Sequence, residues 1–370
     1  MANNGSSTSL NHLHNSQRDH ESNNQLNKTI DQNQRRPNND NNQNQKSKYH
    51  KYSKSNSIWI FPETIVLNNT PSRLDKRPIS LSHELRLKES IHEFLIRLGT
   101  KLKVDGPTIL ATTVYLHRFY MRVPITGSKY FVTSAAFALS CKLNDNYRQP
   151  DKISLISCNL KNPLQPIINQ KTGQKLPPPV IDEQSKIYWE WKDQLLFREE
   201  IILRKLNFDL NFKSPYLFQF KILNKIHLGM GEKLYLKKKE IIKSTINLIE
   251  ILSSLPIILC FDIIEIFATC FIIIIVENNM KNKIDNGNEN GNRIENQNEH
   301  QNDNNNDIKL SSNFINDILD TDQDVILHCF QFIKHLLKIC QEDQKFISNK
   351  IASKRILPIK TAQIMEIITS

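Results

Sequence analysis

Two charged residues stand where the spacing otherwise places apolar ones. In the stretch 128–145, SKYFVTSAAFALSCKLND, helical periodicity puts Ala135 and Leu139 on one apolar stripe whose next position is Lys142. In the stretch 185–207, Leu196, Glu199, Leu203 and Leu206 fall on one face at 3, 4, 3 spacing. Removing such a charge from water by itself costs roughly several kcal/mol, so each residue requires solvent or an opposite charge. Either side chain could snorkel to water at the edge of its stripe. The other reading joins them: an apolar surface with one ion pair inside it, with Leu139 and Leu143 beside the lysine and Leu203 and Leu206 beside the glutamate. Such a surface fits a binding face for another protein, the charges supplying register and specificity. The chemistry is recognition.

Nothing in the chain argues for catalysis. There is no phosphate-cradling glycine loop, no HExxH, no GxSxG and no pair of carboxylates in an evident cleft. His92, His117 and His227 lie in helical contexts, where a histidine with a structural hydrogen bond is the commoner case. The cysteines, Cys141, Cys158, Cys260, Cys270, Cys329 and Cys340, occur singly, without CxxC or zinc spacing. They read as small core hydrophobes in a reducing compartment, and no cofactor or metal is implied. The net charge of +11 would suit an acidic partner, but the lysines are scattered and solvated helix faces account for them as well as a nucleic-acid groove would. Direct nucleic-acid binding is not expected.

The elements that must carry these residues are helical throughout, which makes the chain all-α. Residues 1–57 are rich in Asn, Gln, Ser and His with little to bury, and predict a disordered, mildly basic tail of eight Lys/Arg against four Asp/Glu. Its polar start has no apolar run of the secretory type, which points to an intracellular protein. An extended arm anchored by Trp59 and Phe61 follows. The first helix is expected at Ser82–Leu102 with Ser82 as N-cap, the second after the Asp105 cap with Pro107 in its first turn, the third from Ser128, and a short fourth from Pro150 to Cys158. Residues 161–184 hold Pro177, Pro178 and Pro179 in a row and read as a loop insertion, before a helix from Ser185 to Asn207. After Ser214, Pro215 opens another helix, Glu240–Leu252 is amphipathic, and 255–276 reads as one almost wholly apolar helix. Its fifteen Leu, Ile, Phe and Val residues give about −4.5 to −9 kcal/mol of membrane insertion energy, while Asp262 and Glu265 return about +5 to +7. A buried core helix is the better account, and no membrane association is expected. Residues 278–309 read as an Asn-rich surface loop, Asn313–Leu319 and Gln323–Cys340 as helices, and the remainder as a polar tail.

Several of these segments resemble a known family. Trp59-Ile60-Phe61, Asn69-Thr70-Pro71-Ser72-Arg73 and Tyr115-Leu116-His117-Arg118-Phe119-Tyr120-Met121 are similar to the N-terminal arm and second helix of transcriptional cyclins of the T and K kind. Ala135 to Lys142 resembles the third cyclin helix, and Glu199-Glu200-Ile201-Ile202-Leu203 with Asn207-Phe208-Asp209-Leu210 the fifth. The likeness runs from about 57 to 224. Departures are Asn144-Asp145 where the family has two acids, Phe314 and Ile315 where it has a Trp-Trp pair, and the absence from Leu85–Ile91 of the docking patch of cell-cycle cyclins.

The resemblance implies two tandem five-helix cyclin boxes, at 82–212 with the insertion 161–184 and at 213–345 with the insert 278–309, preceded by the tail 1–57 and arm 58–81 and followed by a tail 346–370. It also implies that Lys142 and Glu199, with Leu139, Leu143, Leu203 and Leu210, contact the αC helix of a cyclin-dependent protein kinase. The expected function is then that of a nuclear regulatory subunit, itself no enzyme. It would form a heterodimer with a kinase that phosphorylates the C-terminal domain of RNA polymerase II and promotes transcription elongation. The alternative is a cyclin-fold DNA-binding general transcription factor of the transcription-factor-IIB type, although that family's zinc ribbon has no CxxC to match it before residue 58.

Overall fold

The computed structural model describes residues 57–164, 179–289, 307, 308, 310 and 313–369. The expected tail 1–57, apart from Ser57, most of the loop insertion and most of the Asn-rich insert lie outside the described residues. The arm carries α1 (Glu63–Asn68) and α2 (Pro71–Leu74), so it is not simply extended. It is followed by α3 (Leu81–Leu102), α4 (Gly106–Tyr120), α5 (Lys129–Leu143), α6 (Pro150–Lys161) and α7 (Lys186–Lys205). Beyond Ser214 come α8 (Pro215–Lys225), α9 (Glu232–Leu252), α10 (Ile263–Glu289), α11 (Phe314–Asp317), α12 (Gln323–Glu342), α13 (Ser348–Ile356) and α14 (Thr361–Thr369). Every described element is helical.

α5 is the centre of the first group and packs against α3, α4, α6 and α7. Every residue from Val132 to Cys141 is buried, which requires small side chains and internal partners for the hydroxyls. Thr133 donates to Lys129 O at 2.7 Å, Ser134 lies 2.8 Å from the Ser157 hydroxyl, and Ser140 donates to Thr108 O at 2.7 Å. One side of the helix, Val132, Ala135, Ala136 and Leu139, joins a cluster with Tyr115, Phe119, Ile202 and Leu206. The other, Phe137, Ala138 and Cys141, joins Leu95, Ile153, Tyr188 and Trp191. In the second group α10 holds the corresponding position, packed by α8, α9, α12 and α14.

Several boundaries differ from the sequence expectation. The cap of α3 is Ser80, whose hydroxyl accepts from His83 N at 3.2 Å, and not Ser82, whose side chain instead donates to Asp343 at 3.0 Å. The apolar stretch 255–276 is not one helix. Pro256–Leu259 forms a 3-10 turn and α10 starts afresh at Ile263, because Asp262 and Glu265 form a reciprocal cap. Glu265 Oε2 accepts from Asp262 N at 2.8 Å and Asp262 Oδ1 from Ile264 N at 3.2 Å. α10 also continues to Glu289, through residues expected as loop, held by a paired contact from Arg355 to Glu277 at 2.6 and 2.7 Å and by the Asn279 amide bonding both N and O of Ile308. The segment Ile263–Asn282 is long and apolar enough to cross a membrane, yet 78% of its apolar window is buried within the protein, as a core helix requires. The segment expected as a polar tail, 346–370, instead folds as α13 and α14, with Ile356, Ile364, Ile367 and Ile368 buried in the core.

Polar contacts tie the arm to α3 and the two groups to each other. Glu84, 1% exposed, takes Arg73 at 3.1 Å, Lys88 at 2.9 Å and the Thr70 hydroxyl at 2.6 Å. Burial alone would raise its carboxyl, but these partners outweigh burial and hold it below the usual range. The Glu89 carboxylate on α3 accepts from Asn349 N at 2.7 Å and from Ile347 N, capping the start of α13. His117 Nε2 lies 2.8 Å from Ser253 O and His92 Nε2 3.0 Å from the Ser253 hydroxyl. Both are structural histidines, while His227 is exposed at the turn before α9. All six cysteines are free thiols, and all but Cys260 are fully buried.

Burial holds His92 at about 4, and burial with nearby Lys88 holds His117 at about 3. Unfolded chains take up these protons below about pH 6.5 and the folded chain does not. Stability is therefore fully present above that pH and falls on acidification, by about 1.4 kcal/mol per pH unit for each histidine. Urea midpoints at neutral pH and about pH 5 are expected to converge in a His92→Gln/His117→Gln variant relative to the parent. The contribution of Glu265, raised to about 7 mainly by burial, has the opposite sign but is common to both proteins.

Candidate functional site

A helix enclosed on all sides reaches the surface only at its ends, and α5 does so at Lys142 and Leu143. Lys142 Nζ lies 2.9 and 2.8 Å from the two carboxylate oxygens of Glu199 on α7. The lysine side chain is 41% exposed and the glutamate 11%, so the ammonium is partly hydrated and the carboxylate is the member that depends on its partner. The two stripes that each contained one misplaced charge are thus joined at these charges.

The other expected site residues divide by burial. Leu139 is 6% exposed and belongs to the core around Ala135, Ile202 and Leu206. Leu203 and Leu210 are half-buried and pack on the same cluster. Leu143 is 53% exposed. Leu206 is fully buried, whereas Leu196, expected on the same face, is 50% exposed, because a helix resting on α5 and α6 turns the N-terminal part of that stripe outward. Leu196 and Leu203 bracket Glu199 one turn to either side.

Two features were not evident from spacing. Asn144 closes α5: its side-chain amide donates to Ser140 O at 2.9 Å, satisfying a helix-end carbonyl as no carboxylate could. The end of α7 is a Schellman turn, with Phe208 N donating to Leu203 O at 2.9 Å and Asn207 N to Arg204 O at 3.1 Å. Asn207 has φ 53°, tolerable for asparagine, but Phe208 also has φ 57°, rare for a bulky residue, and the residue is 69% exposed. The arm holds this turn in place. Trp59 Nε1 donates to Asp209 Oδ2 at 2.8 Å, Arg118 and Arg122 lie over its ring at 5.3 Å each, Arg118 donates to Asn211 O at 2.8 Å, and the Tyr115 hydroxyl donates to Leu210 O at 2.9 Å. Phe208 lies in the segment Asn207-Phe208-Asp209-Leu210, and its backbone conformation is what marks it out.

The face therefore presents an ion pair with Leu196 and Leu203 one turn to either side of Glu199 and the exposed Leu143 next to Lys142, with a carboxylate already oriented. It offers no nucleophile or general base poised on a substrate. Among the described residues no group of three or more His, Cys, Asp or Glu is placed to hold a metal ion.

Residues 63–211 match the family described as "Cyclin, N-terminal domain". The chain is 30% identical over 174 residues to Cyclin pch1 of Schizosaccharomyces pombe, covering 47% of this chain and 46% of that protein. It is 30% identical over 168 residues to Cyclin-T1-5 of Arabidopsis thaliana, covering 45% and 27%. The match thus spans about half the length of the first relative and less of the second. A solved structure, the crystal structure of the yeast RNA Pol II CTD kinase CTDK-1 complex, aligns with a TM-score of 0.48 at 15% identity over 78% of this chain and 76% of that one. The region at residues 63–211, which includes the arm helices, Lys142 and Glu199, is thus similar to the cyclin N-terminal domain, and the likeness to cyclin pch1 and Cyclin-T1-5 covers just under half of the chain.

Proposed function

We propose that the chain is the regulatory, non-catalytic subunit of a cyclin-dependent protein kinase, acting in the nucleus on transcription, and that the α5–α7 face is where the kinase docks. The observation that carries this reading is the Lys142–Glu199 pair set among exposed and half-exposed aliphatics. An interface core is apolar with a few charges fixing register, and this is the surface the chain offers. The helices α3–α7 serve as the first cyclin box (82–212) and α8–α12 as the second (213–345), so that the first box carries the docking residues. Leu143, Leu203 and Leu210 contribute apolar contact, and Leu139 acts from beneath by holding α5 in position.

The kinase αC helix would rest on this face. Docking there holds the αC glutamate against the β3 lysine and orders the activation segment, which completes the site for phosphoryl transfer. All groups that touch ATP come from the kinase. The substrate proposed for the complex is the C-terminal domain of RNA polymerase II, as the resemblance to transcriptional cyclins implies.

Purification of the tagged chain from cell extract, with identification of the co-purifying kinase, tests the reading. Lys142→Ala/Glu199→Ala is expected to lose the kinase with its far-ultraviolet circular dichroism unchanged; normal co-purification would sink the interface assignment. Steeply salt-dependent retention on duplex DNA with no kinase would favour the transcription-factor-IIB alternative.

A companion series separates contact from support. Leu143→Asp and Leu196→Asp, both at exposed positions, should weaken kinase binding and leave the urea midpoint within about 0.5 kcal/mol of the parent. Leu139→Ala should cost about 2–5 kcal/mol of stability. A surface role for Leu139 would show as the reverse pattern.

A further inference from the structure

The first two helices of the second group, α8 and α9, pair as an antiparallel hairpin. Tyr216 at the start of α8 donates to Glu250 near the end of α9, and Lys238 on α9 donates to Ile226 O, just past the end of α8, at 2.9 Å. Between the two helices lies an open groove of about 350 Å³. Phe220 and Leu223 of α8 and Ile242 and Ile246 of α9 give it an apolar lining, and Lys239 and Lys243 stand along its α9 side. Phe220 is exposed, as are Leu217 one turn before it and Leu236 one turn before Lys239, so the apolar surface continues past the groove on both helices.

The charge around this groove is one-sided. From Lys213 to Lys243 the chain carries eight lysines against Glu232 and Glu240. Lys225 donates to Asp317 O, and Lys238 donates to Ile226 O and lies over the Tyr235 ring; these partners are neutral and leave the positive charge standing. Lys239 and Lys243, the two that reach the groove, are exposed, and among the described residues neither side chain forms an ion pair or a hydrogen bond. Four residues apart on one helix face, they repel each other, and an anionic group set beside both relieves that repulsion. Glu250, the one carboxylate among the lining residues, is engaged by the Tyr216 hydroxyl about two turns beyond Lys243.

We propose that the α8–α9 groove docks an acidic amphipathic helix of a partner protein, its apolar face on Phe220, Leu223, Ile242 and Ile246 and its carboxylates beside Lys239 and Lys243. The α9 side of the groove, from Lys239 to Glu250, is about 16 Å long at 1.5 Å per residue, which matches about three turns of such a helix. A nucleic acid fits less well, because a phosphate backbone on the lysines would leave the aliphatic lining unused. The groove shares no residue with the α5–α7 face, so the proposal does not rest on the kinase reading.

Fluorescence anisotropy on the full chain provides the test. The probe is a labelled helical peptide with leucine at i, i+3, i+4 and i+7 and glutamate elsewhere; its lysine-for-glutamate counterpart and a labelled single-stranded oligouridylate are the controls. Saturable binding of the glutamate peptide alone is expected, weakened about tenfold or more, which corresponds to about 1.4 kcal/mol, in Lys239→Glu/Lys243→Glu and, with the charges left in place, in Phe220→Ser. All three positions are exposed, so the thermal midpoints should stay near that of the parent; if the double reversal melts early, Phe220→Ser carries the test. Lys338→Glu/Lys354→Glu makes the same change of net charge at exposed positions on α12 and α13 and should bind the probe as the parent does, as should Lys142→Ala/Glu199→Ala. Equal weakening in either of these two, unchanged binding by the groove variants, or no saturable binding would each overturn the proposal. So would an oligouridylate that binds in place of the glutamate peptide and is lost in the groove variants.

Discussion

The enclosure of α5 is the constraint on which the rest of the first group of helices depends. A helix buried from Val132 to Cys141 can carry only small or apolar side chains and hydroxyls that find partners inside. It can then expose function only where it leaves the core. Lys142 and Leu143 are the first residues free of that constraint, and Glu199 is brought to them because α7 lies along α5. The ion pair is half in water on one side and nearly dry on the other, so its net worth to stability is modest. Its value lies in holding a carboxylate and an ammonium in fixed register on an apolar face.

The same accounting governs the junctions of α3 and α4 with the arm and with the second group of helices. Glu84, Glu89, His92 and His117 are all buried, and each would be a liability if left alone. Each is instead matched by a partner: Glu84 by the nearby arm, and, from far along the chain, Glu89 by the start of α13 and both histidines by Ser253. Polar contacts of this kind are poorer than apolar packing as a source of stability, but they tolerate few alternative arrangements. The arm is positioned likewise by Trp59, whose contacts with Asp209, Arg118 and Arg122 also fix the Asn207–Asn211 turn. That turn carries Phe208 and Leu210.

Periodicity made the helices α3–α7 legible, because apolar residues at helical spacing record the direction of the core whatever the partner helix is. The Asp105 cap and the Lys142–Glu199 pair were legible for the same reason: each depends on local chemistry or on a conspicuous break in a stripe. The apolar run 255–276 was misleading, since Asp262 and Glu265 look like charges inside a helix until their hydrogen bonds show them to be its cap. Residues 346–370 were misleading in the other direction. α13 has a weakly apolar sequence, and its place is secured by Glu89 and Glu277, contacts with α3 and α10 that no local pattern announces.

The sequence by itself determined the all-helical class, the core stripe of α5 and the identity of the two charges that interrupt the apolar faces. These follow from side-chain chemistry and from spacing along one helix. Only the tertiary structure decided that Lys142 and Glu199 meet, that Leu139 lies beneath the surface while Leu143 and Leu196 lie on it, and that Phe208 is held outward on a left-handed backbone. Those outcomes depend on how helices cross and on where a turn is pinned, and residues separated by 57 or 150 positions in the chain leave no joint signal in a single sequence.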